Sequence, residues 1–124
     1  LAKYTTGYID KDEKPICQAG LGCTYGWQSA ANDAIGSWIE VILTQPQKIA
    51  YITIISCVTN VEEMSIRFSD GSSQKIKLKA LDSCNTTQLI ELKPVITSNL
   101  RFTTEKVRET GKSVSIKGIA IYGW

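Results

Sequence analysis

The chain has 124 residues, 43% of them hydrophobic and 21% charged, and its formal net charge at pH 7 is +2. These values predict one globular domain that buries a core of its own, and they exclude an intrinsically disordered chain. The nearly neutral charge excludes the strong basic excess that nucleic-acid binding needs, and no apolar run reaches the roughly 18 residues of a membrane span.

The first third of the chain predicts a long loop after the first strand. Residues 10–36 are rich in Gly, Ala, Asp and Asn, and they include Tyr25 and Trp27. We expect most of this stretch to be held by a disulfide and by aromatic packing. No signal peptide is visible and the chain begins at Leu1 rather than Met, which indicates a mature or excised fragment.

Alternating apolar and polar residues predict strands in the middle of the chain. Ile39, Val41 and Leu43 share one face of a strand predicted over 38–43. The run 49–55 is nearly all apolar and β-branched, which indicates a central strand buried on both faces.

The next segments predict a hairpin and an outward-facing lysine row. In 64–68, Met64, Ile66 and Phe68 are expected to face the core while Arg67 faces outward. Turn residues at 69–72 predict the connection to a strand at 75–79. That strand carries Lys75, Lys77 and Lys79, which we interpret as a solvated face, although an anion-binding stripe has the same pattern.

Three further strands are predicted, at 89–92, 100–102 and 114–122. Pro46 and Pro94 are expected in connections, where a missing N–H costs nothing. No helix of ten residues is indicated. About eight strands separated by frequent turns predict an all-β sandwich or barrel in a single domain, residues 1–124.

Four cysteines indicate an oxidising compartment. A zinc site would need all four thiolates at unusual spacing, since the chain has no histidine. We prefer two disulfides, Cys17–Cys23 and Cys57–Cys84, although three pairings are open and free thiols in a cytosolic protein are the alternative. The triplet beginning at Asn85 is an N-glycosylation acceptor sequence and supports a secretory route.

The sequence contains no catalytic constellation. The absence of histidine excludes a Ser-His-Asp or Cys-His device. Paired carboxylates could in principle hydrolyse a glycoside, but Asp10, Asp12 and Glu13, like Glu62 and Glu63, are better explained as solvated loop acids. We therefore expect a binding protein and not an enzyme.

The order of the strand motifs resembles a known family. The matching segments are Trp27-Gln28-Ser29, Gly36 to Val41, Lys48 to Ile54, Ile66 to Ser72, Ser98 to Thr103 and Gly118 to Gly123. Together they resemble the coagulation factor 5/8 type C, or discoidin-like, domain of the galactose-binding-like β-sandwich group. The resemblance covers roughly residues 7–123 and rests on motif order and spacing.

The resemblance implies an eight-stranded jelly-roll sandwich, secreted or at the cell surface, whose loops at one end bind a glycan, an anionic lipid surface or another protein. It also implies a calcium ion that braces the loop after the first strand, with Asp10 in the position of a ligand. However, Lys11 replaces the usual glycine, and Gly118 or Ala120 stands where a Glu is expected. These departures favour an ordinary turn residue at Asp10, and we expect no cofactor.

We expect a recognition or adhesion module that binds carbohydrate through an aromatic platform and a few polar groups. The candidate ligand-binding residues are Asp10, Asp12, Tyr25, Asn60, Arg108 and Glu109. Trp27 and Trp38 are expected in the core. The partner would be a glycan or an extracellular protein, with no nucleic acid and no membrane surface. The alternative is a structural domain that assembles with sister domains or other copies.

Overall fold

Every regular element in the computed structural model is a β-strand. The model describes residues 2–4, 7–10, 15–18, 27–29, 33–55, 60–80, 87–116 and 118–123, and no helix occurs among them. Accordingly, this part of the chain contains no helix long and apolar enough to cross a membrane. The strands are β1 Ala2–Tyr4, β2 Gly7–Asp10, β3 Pro15–Gln18, β4 Trp27–Gln28, β5 Trp38–Ile55, β6 Val61–Phe68, β7 Ser73–Lys77, β8 Thr87–Val107, β9 Ser115–Ile116 and β10 Gly118–Gly123.

Two long strands form the centre of the molecule. β5 and β8 pair antiparallel from Trp38 opposite Thr103 to Ile55 opposite Thr87. The register between them shifts between Ile42 and Gln47, and again between Ile49 and Tyr51. The separate strands predicted at 38–43 and 49–55, and at 89–92 and 100–102, are therefore halves of two bent strands.

The two prolines expected in connections lie within these strands. Pro46 is an exposed residue of β5 between the last paired residue before the shift, Ile42, and the first after it, Gln47. Pro94 is likewise exposed in β8, between Glu91 and Val95, which pair on either side of the second shift. Because irregular pairing releases a backbone donor from the ladder, proline is tolerated at both places.

The bends in β5 and β8 divide the sheet into two layers. The first half of β5 pairs with β2, and its second half pairs with β10. The second half of β8 pairs with β6, which continues to β7. All these pairings are antiparallel, and the all-β sandwich predicted from the alternation is confirmed. Two of the strands, β3 and β4, lie inside the stretch 10–36 that we predicted to be mostly loop.

Both halves of β5 contribute to one core. Ile39 and Val41 are buried in the first half, and Ile52 and Ile54 in the second. The buried positions change from odd to even numbers across the irregularity at Ile49, since an extra residue reverses which side chains face inward. The layer that contains the first half of β5 also contributes Met64, Ile66, Leu100 and Phe102, each 0% exposed.

The hairpin between β6 and β7 forms as predicted and is fixed by its polar residues. Gly71 has a φ of 87°, a left-handed conformation that glycine adopts without steric cost. The Asp70 carboxylate accepts hydrogen bonds from the Ser72 hydroxyl (2.6 Å) and the Ser72 backbone N–H (2.8 Å), which lower the pKa of Asp70. These hydrogen bonds fix the conformation of the turn.

A buried threonine ties this hairpin to the bend in β8. Thr97 is 0% exposed, and its hydroxyl accepts a hydrogen bond from the Ser69 backbone N–H at 2.9 Å. The same hydroxyl donates to the Asn99 carbonyl at 2.6 Å. Asn99 and Ser69 are therefore held side by side at the end of the strands.

Candidate functional site

Three of the predicted ligand-binding residues come together at one end of β6. Asn60 is only 7% exposed, and its side-chain N–H groups donate to the carbonyls of Glu109 (3.2 Å), Lys112 (3.1 Å) and Ser113 (3.2 Å). Its side-chain oxygen accepts from the Glu109 backbone N–H at 2.8 Å. Asn60 therefore holds the loop 109–113 against the strand.

Arg108 and Glu109 also make contacts within the chain. The Arg108 guanidinium donates to the carbonyls of Val61 and Leu78. The Glu109 carboxylate lies 2.9 Å from Lys112 Nζ and raises the pKa of that lysine by hydrogen bonding and charge. These interactions give the three residues a structural role, and ligand binding by them stays a prediction.

The remaining predicted site residues lie largely outside the described residues. Asp10 ends β2, where it pairs with Ile39, and its carboxylate is not described. No group of three or more acidic or cysteine residues in the described ranges could hold a metal. Calcium binding at Asp10 thus stays untested. The remaining predictions concern residues outside the described ranges or side chains that are not described, namely Asp12, Tyr25, Trp27, Asn85 and the pairs Cys17–Cys23 and Cys57–Cys84.

A polar pocket lies at the other end of β6, about 23 Å away along the strand at about 3.3 Å per residue. Its volume is about 250 Å³. We call it the arginine pocket, and its lining residues are Glu40, Arg67, Phe68, Ser69, Gly71, Asn99 and Arg101. Sequence analysis proposed none of them as a ligand-binding residue.

Strand register explains why distant residues meet there. Glu40 on β5 lies directly opposite Arg101 on β8, and Arg101 lies directly opposite Arg67 on β6. Successive side chains of a strand alternate between faces, so these three form one row on the outer face of the layer. The neighbouring Leu100 points inward and is 0% exposed.

Arg101 is held in place from two sides. Its Nε lies 3.5 Å from Glu40 Oε1, and its guanidinium carbon lies 4.1 Å from the centre of the Trp38 ring. Glu40 Oε1 also accepts a hydrogen bond from the Asn99 side chain at 3.4 Å. Glu40 is 15% exposed and Arg101 43% exposed, so this ion pair is partly shielded from solvent.

The expectation that Trp38 packs in the core is wrong. Trp38 is only half-buried, whereas its neighbour Ile39 is 2% exposed. The strand places these two side chains on opposite faces, and Ile39 takes the inner one. The Trp38 ring therefore packs against the Arg101 guanidinium on the outer face.

Arg67 lies beside this ion pair without a partner of its own. Among the described residues, none accepts a hydrogen bond from the Arg67 side chain or forms an ion pair with it. Arginines placed directly opposite each other repel, which disfavours this pair in the absence of an anion. With two arginines and one glutamate, the pocket carries one uncompensated positive charge.

One protein family matches most of the chain. A family model described as "Domain of unknown function (DUF7402)" matches residues 20–122. No relative was found among curated protein sequences.

Several solved structures share the architecture at low sequence identity. The family 32 carbohydrate-binding module (CBM) of NanJ from C. perfringens, in complex with galactose, has a TM-score of 0.66 and 15% identity, covering 98% of this chain and 93% of that one. The CBM32 of AlyQ, in complex with 4,5-unsaturated mannuronic acid, has a TM-score of 0.73 and 11% identity, covering 100% of both chains.

A pectin-binding carbohydrate-binding module has a TM-score of 0.65 and 19% identity, covering 99% of this chain and 90% of that one. At these identities, the likenesses establish that the chain has the sandwich fold of the CBM32 modules.

Proposed function

The chain belongs to the family described as domain of unknown function DUF7402, and we propose that it is a carbohydrate-binding module whose sugar site is the arginine pocket. The observation that carries the proposal is the arginine pocket itself, in which the partly buried Glu40 and Trp38 hold the Arg101 guanidinium at a cavity of about 250 Å³. The shared fold with modules solved in complex with galactose and with 4,5-unsaturated mannuronic acid supports it.

The arginine pocket offers the groups that sugar recognition requires. Sugar hydroxyls need several donors and acceptors fixed in place, together with a surface that excludes water. Arg67 and Arg101 supply N–H donors, and Glu40 supplies a carboxylate acceptor. The volume lies just below the range of about 300–1,000 Å³ for small-molecule pockets, which suits one or two sugar rings.

We expect this module to bind without catalysis. A rate enhancement on a glycoside needs an acid and a base or nucleophile flanking the bond. The arginine pocket contains one carboxylate, Glu40, which is engaged by Arg101 and Asn99. Binding of an extracellular glycan, by a domain that is secreted or at the cell surface, fits this chemistry.

Binding of the purified domain to a glycan array, followed by titration with the best saccharide, tests the proposal. We expect Arg101→Ala to weaken binding at least about tenfold, because a hydrogen bond to a charged group is worth about 1.5–3 kcal/mol. Lys77→Gln is the matched control, since Lys77 is an exposed cation on β7 outside the arginine pocket.

Two outcomes would contradict the proposal. The first is an absence of binding to every saccharide class at high protein concentration. The second is binding that withstands Arg101→Ala but is lost in Glu109→Gln, which would move the site to the loop end.

A further inference from the structure

We propose that the ligand of the arginine pocket contains a uronic acid, and that Arg67 and Arg101 together bind its carboxylate. This inference rests on the proposed function and names the sugar class of the same site. It is carried by the charge, the register and the free edges of the two guanidinium groups.

The positive charge of the arginine pocket favours the binding of an anion. Arg101 is paired with Glu40, whereas the Arg67 side chain has no acceptor among the described residues. Two lysines on the neighbouring β7 and β8 strands differ in this respect. Lys75 and Lys106 lie 3.8 Å and 3.7 Å from the carboxylate oxygens of Glu63, which is 7% exposed. Arg67 is therefore a cation without a counter-ion among the described residues, and it lies directly opposite a second arginine that would otherwise repel it.

The positions of the two arginines suit a single small anion. Residues directly opposite on paired strands have Cβ atoms about 4.5–5.5 Å apart. Arg67 and Arg101 therefore occupy adjacent positions on neighbouring strands, and both line the same cavity. One carboxylate between them would accept hydrogen bonds from both and remove their repulsion.

The ion pair of Arg101 determines which of its edges faces a ligand. The Nε side is engaged by Glu40 Oε1 at 3.5 Å. The two terminal nitrogens have no hydrogen-bond or ion-pair partner among the described residues, and they form the edge that binds a planar carboxylate through two parallel hydrogen bonds. The same edge also binds two oxygens of a tetrahedral oxyanion, so the test below includes a sulfated sugar.

The Arg101 side chain is also preorganised for binding in the free protein. Its guanidinium lies 4.1 Å from the Trp38 ring centre and beside Glu40, so less side-chain freedom is lost on binding than at an isolated surface arginine. The second oxygen of Glu40 and the amide of Asn99 remain on the same side to bind sugar hydroxyls.

Calorimetric titration with four saccharides tests the inference. The probes are trigalacturonic acid, its methyl ester, galactotriose and galactose 6-sulfate, all at physiological ionic strength. We expect trigalacturonic acid to bind, and the ester and galactotriose to bind at least about tenfold more weakly, since both lack the carboxylate.

Charge-matched variants separate a specific site from general attraction. Arg67→Gln is expected to weaken binding of trigalacturonic acid about tenfold and binding of galactotriose by a smaller factor, so that the preference for the acid over the neutral sugar falls. Lys77→Gln removes the same charge from an exposed position outside the arginine pocket and is expected to change neither affinity by more than about twofold. Thermal unfolding of both variants verifies that they are folded.

The outcomes distinguish the inference from the proposed function. Equal binding of the acid and its ester, tighter binding of the sulfated sugar, or equal losses in Arg67→Gln and Lys77→Gln would overturn the inference while leaving a carbohydrate-binding module. An absence of binding by every saccharide would overturn both.

Discussion

The role of a side chain in this domain depends on which face of its strand it occupies. Trp38 and Ile39 are adjacent in sequence, yet one supports Arg101 and the other is buried in the core. The sequence predicts that Asn60 binds a ligand. In the structure, its amide instead binds three carbonyls and one backbone N–H of the loop 109–113. The side chains available for a ligand are those that the chain leaves without a partner, such as Arg67.

Replacement of Asn60 by alanine is expected to destabilise the fold. Asn60→Ala leaves several backbone groups of the loop 109–113 without their buried partner, so we expect a loss of about 2 kcal/mol or more in the free energy of unfolding, measured by urea denaturation. Asn99→Ala is the matched control, since Asn99 is more exposed and donates one side-chain hydrogen bond of 3.4 Å, to Glu40. Equal losses in the two variants would contradict the role assigned to Asn60.

At the scale of elements, the long strands β5 and β8 determine the architecture. Their bends allow each strand to pair in both layers, and the close approach of β10 to β5 sets how tightly one layer can pack. A Cβ atom added at Gly123 would lie 1.7 Å from the Lys48 carbonyl oxygen, where the register of these two strands shifts. No side chain fits there without movement of the backbone.

Gly123 and Gly118 provide a matched pair of substitutions on β10. We expect Gly123→Ala to lower the melting temperature by several degrees, because a forced backbone shift costs about 1–3 kcal/mol. Gly118→Ala meets nothing within 4 Å and is expected to leave the melting temperature nearly unchanged or to raise it slightly. Similar melting temperatures for the two variants would contradict the tight pairing of β10 with β5.

At the scale of the whole molecule, sequence patterns predicted the sandwich but not the pocket. The alternation of Ile39, Val41 and Leu43 reports burial directly, because a strand has a fixed period of two. The same alternation placed Arg67 on an outer face. It could not place Arg67 opposite Arg101, because that depends on register between strands separated by more than 30 residues of chain.

The bends in β5 and β8 are harder to predict from the sequence than the strands themselves. Pro46 and Pro94 favour connections when only the sequence is considered, yet an irregular strand accommodates proline as well as a loop does. The candidates at Asp12 and Tyr25, both proposed disulfides and the assembly role stay predictions.

The arginine pocket is tested most directly by nuclear magnetic resonance of the isotope-labelled domain during titration with trigalacturonic acid. We predict that saturable shift changes concentrate on the backbone of Glu40, Arg67, Asn99 and Arg101 and on the side-chain resonances of the two arginines. Changes confined to Asn60 and the loop 109–113, or an absence of saturable changes anywhere, would contradict the account.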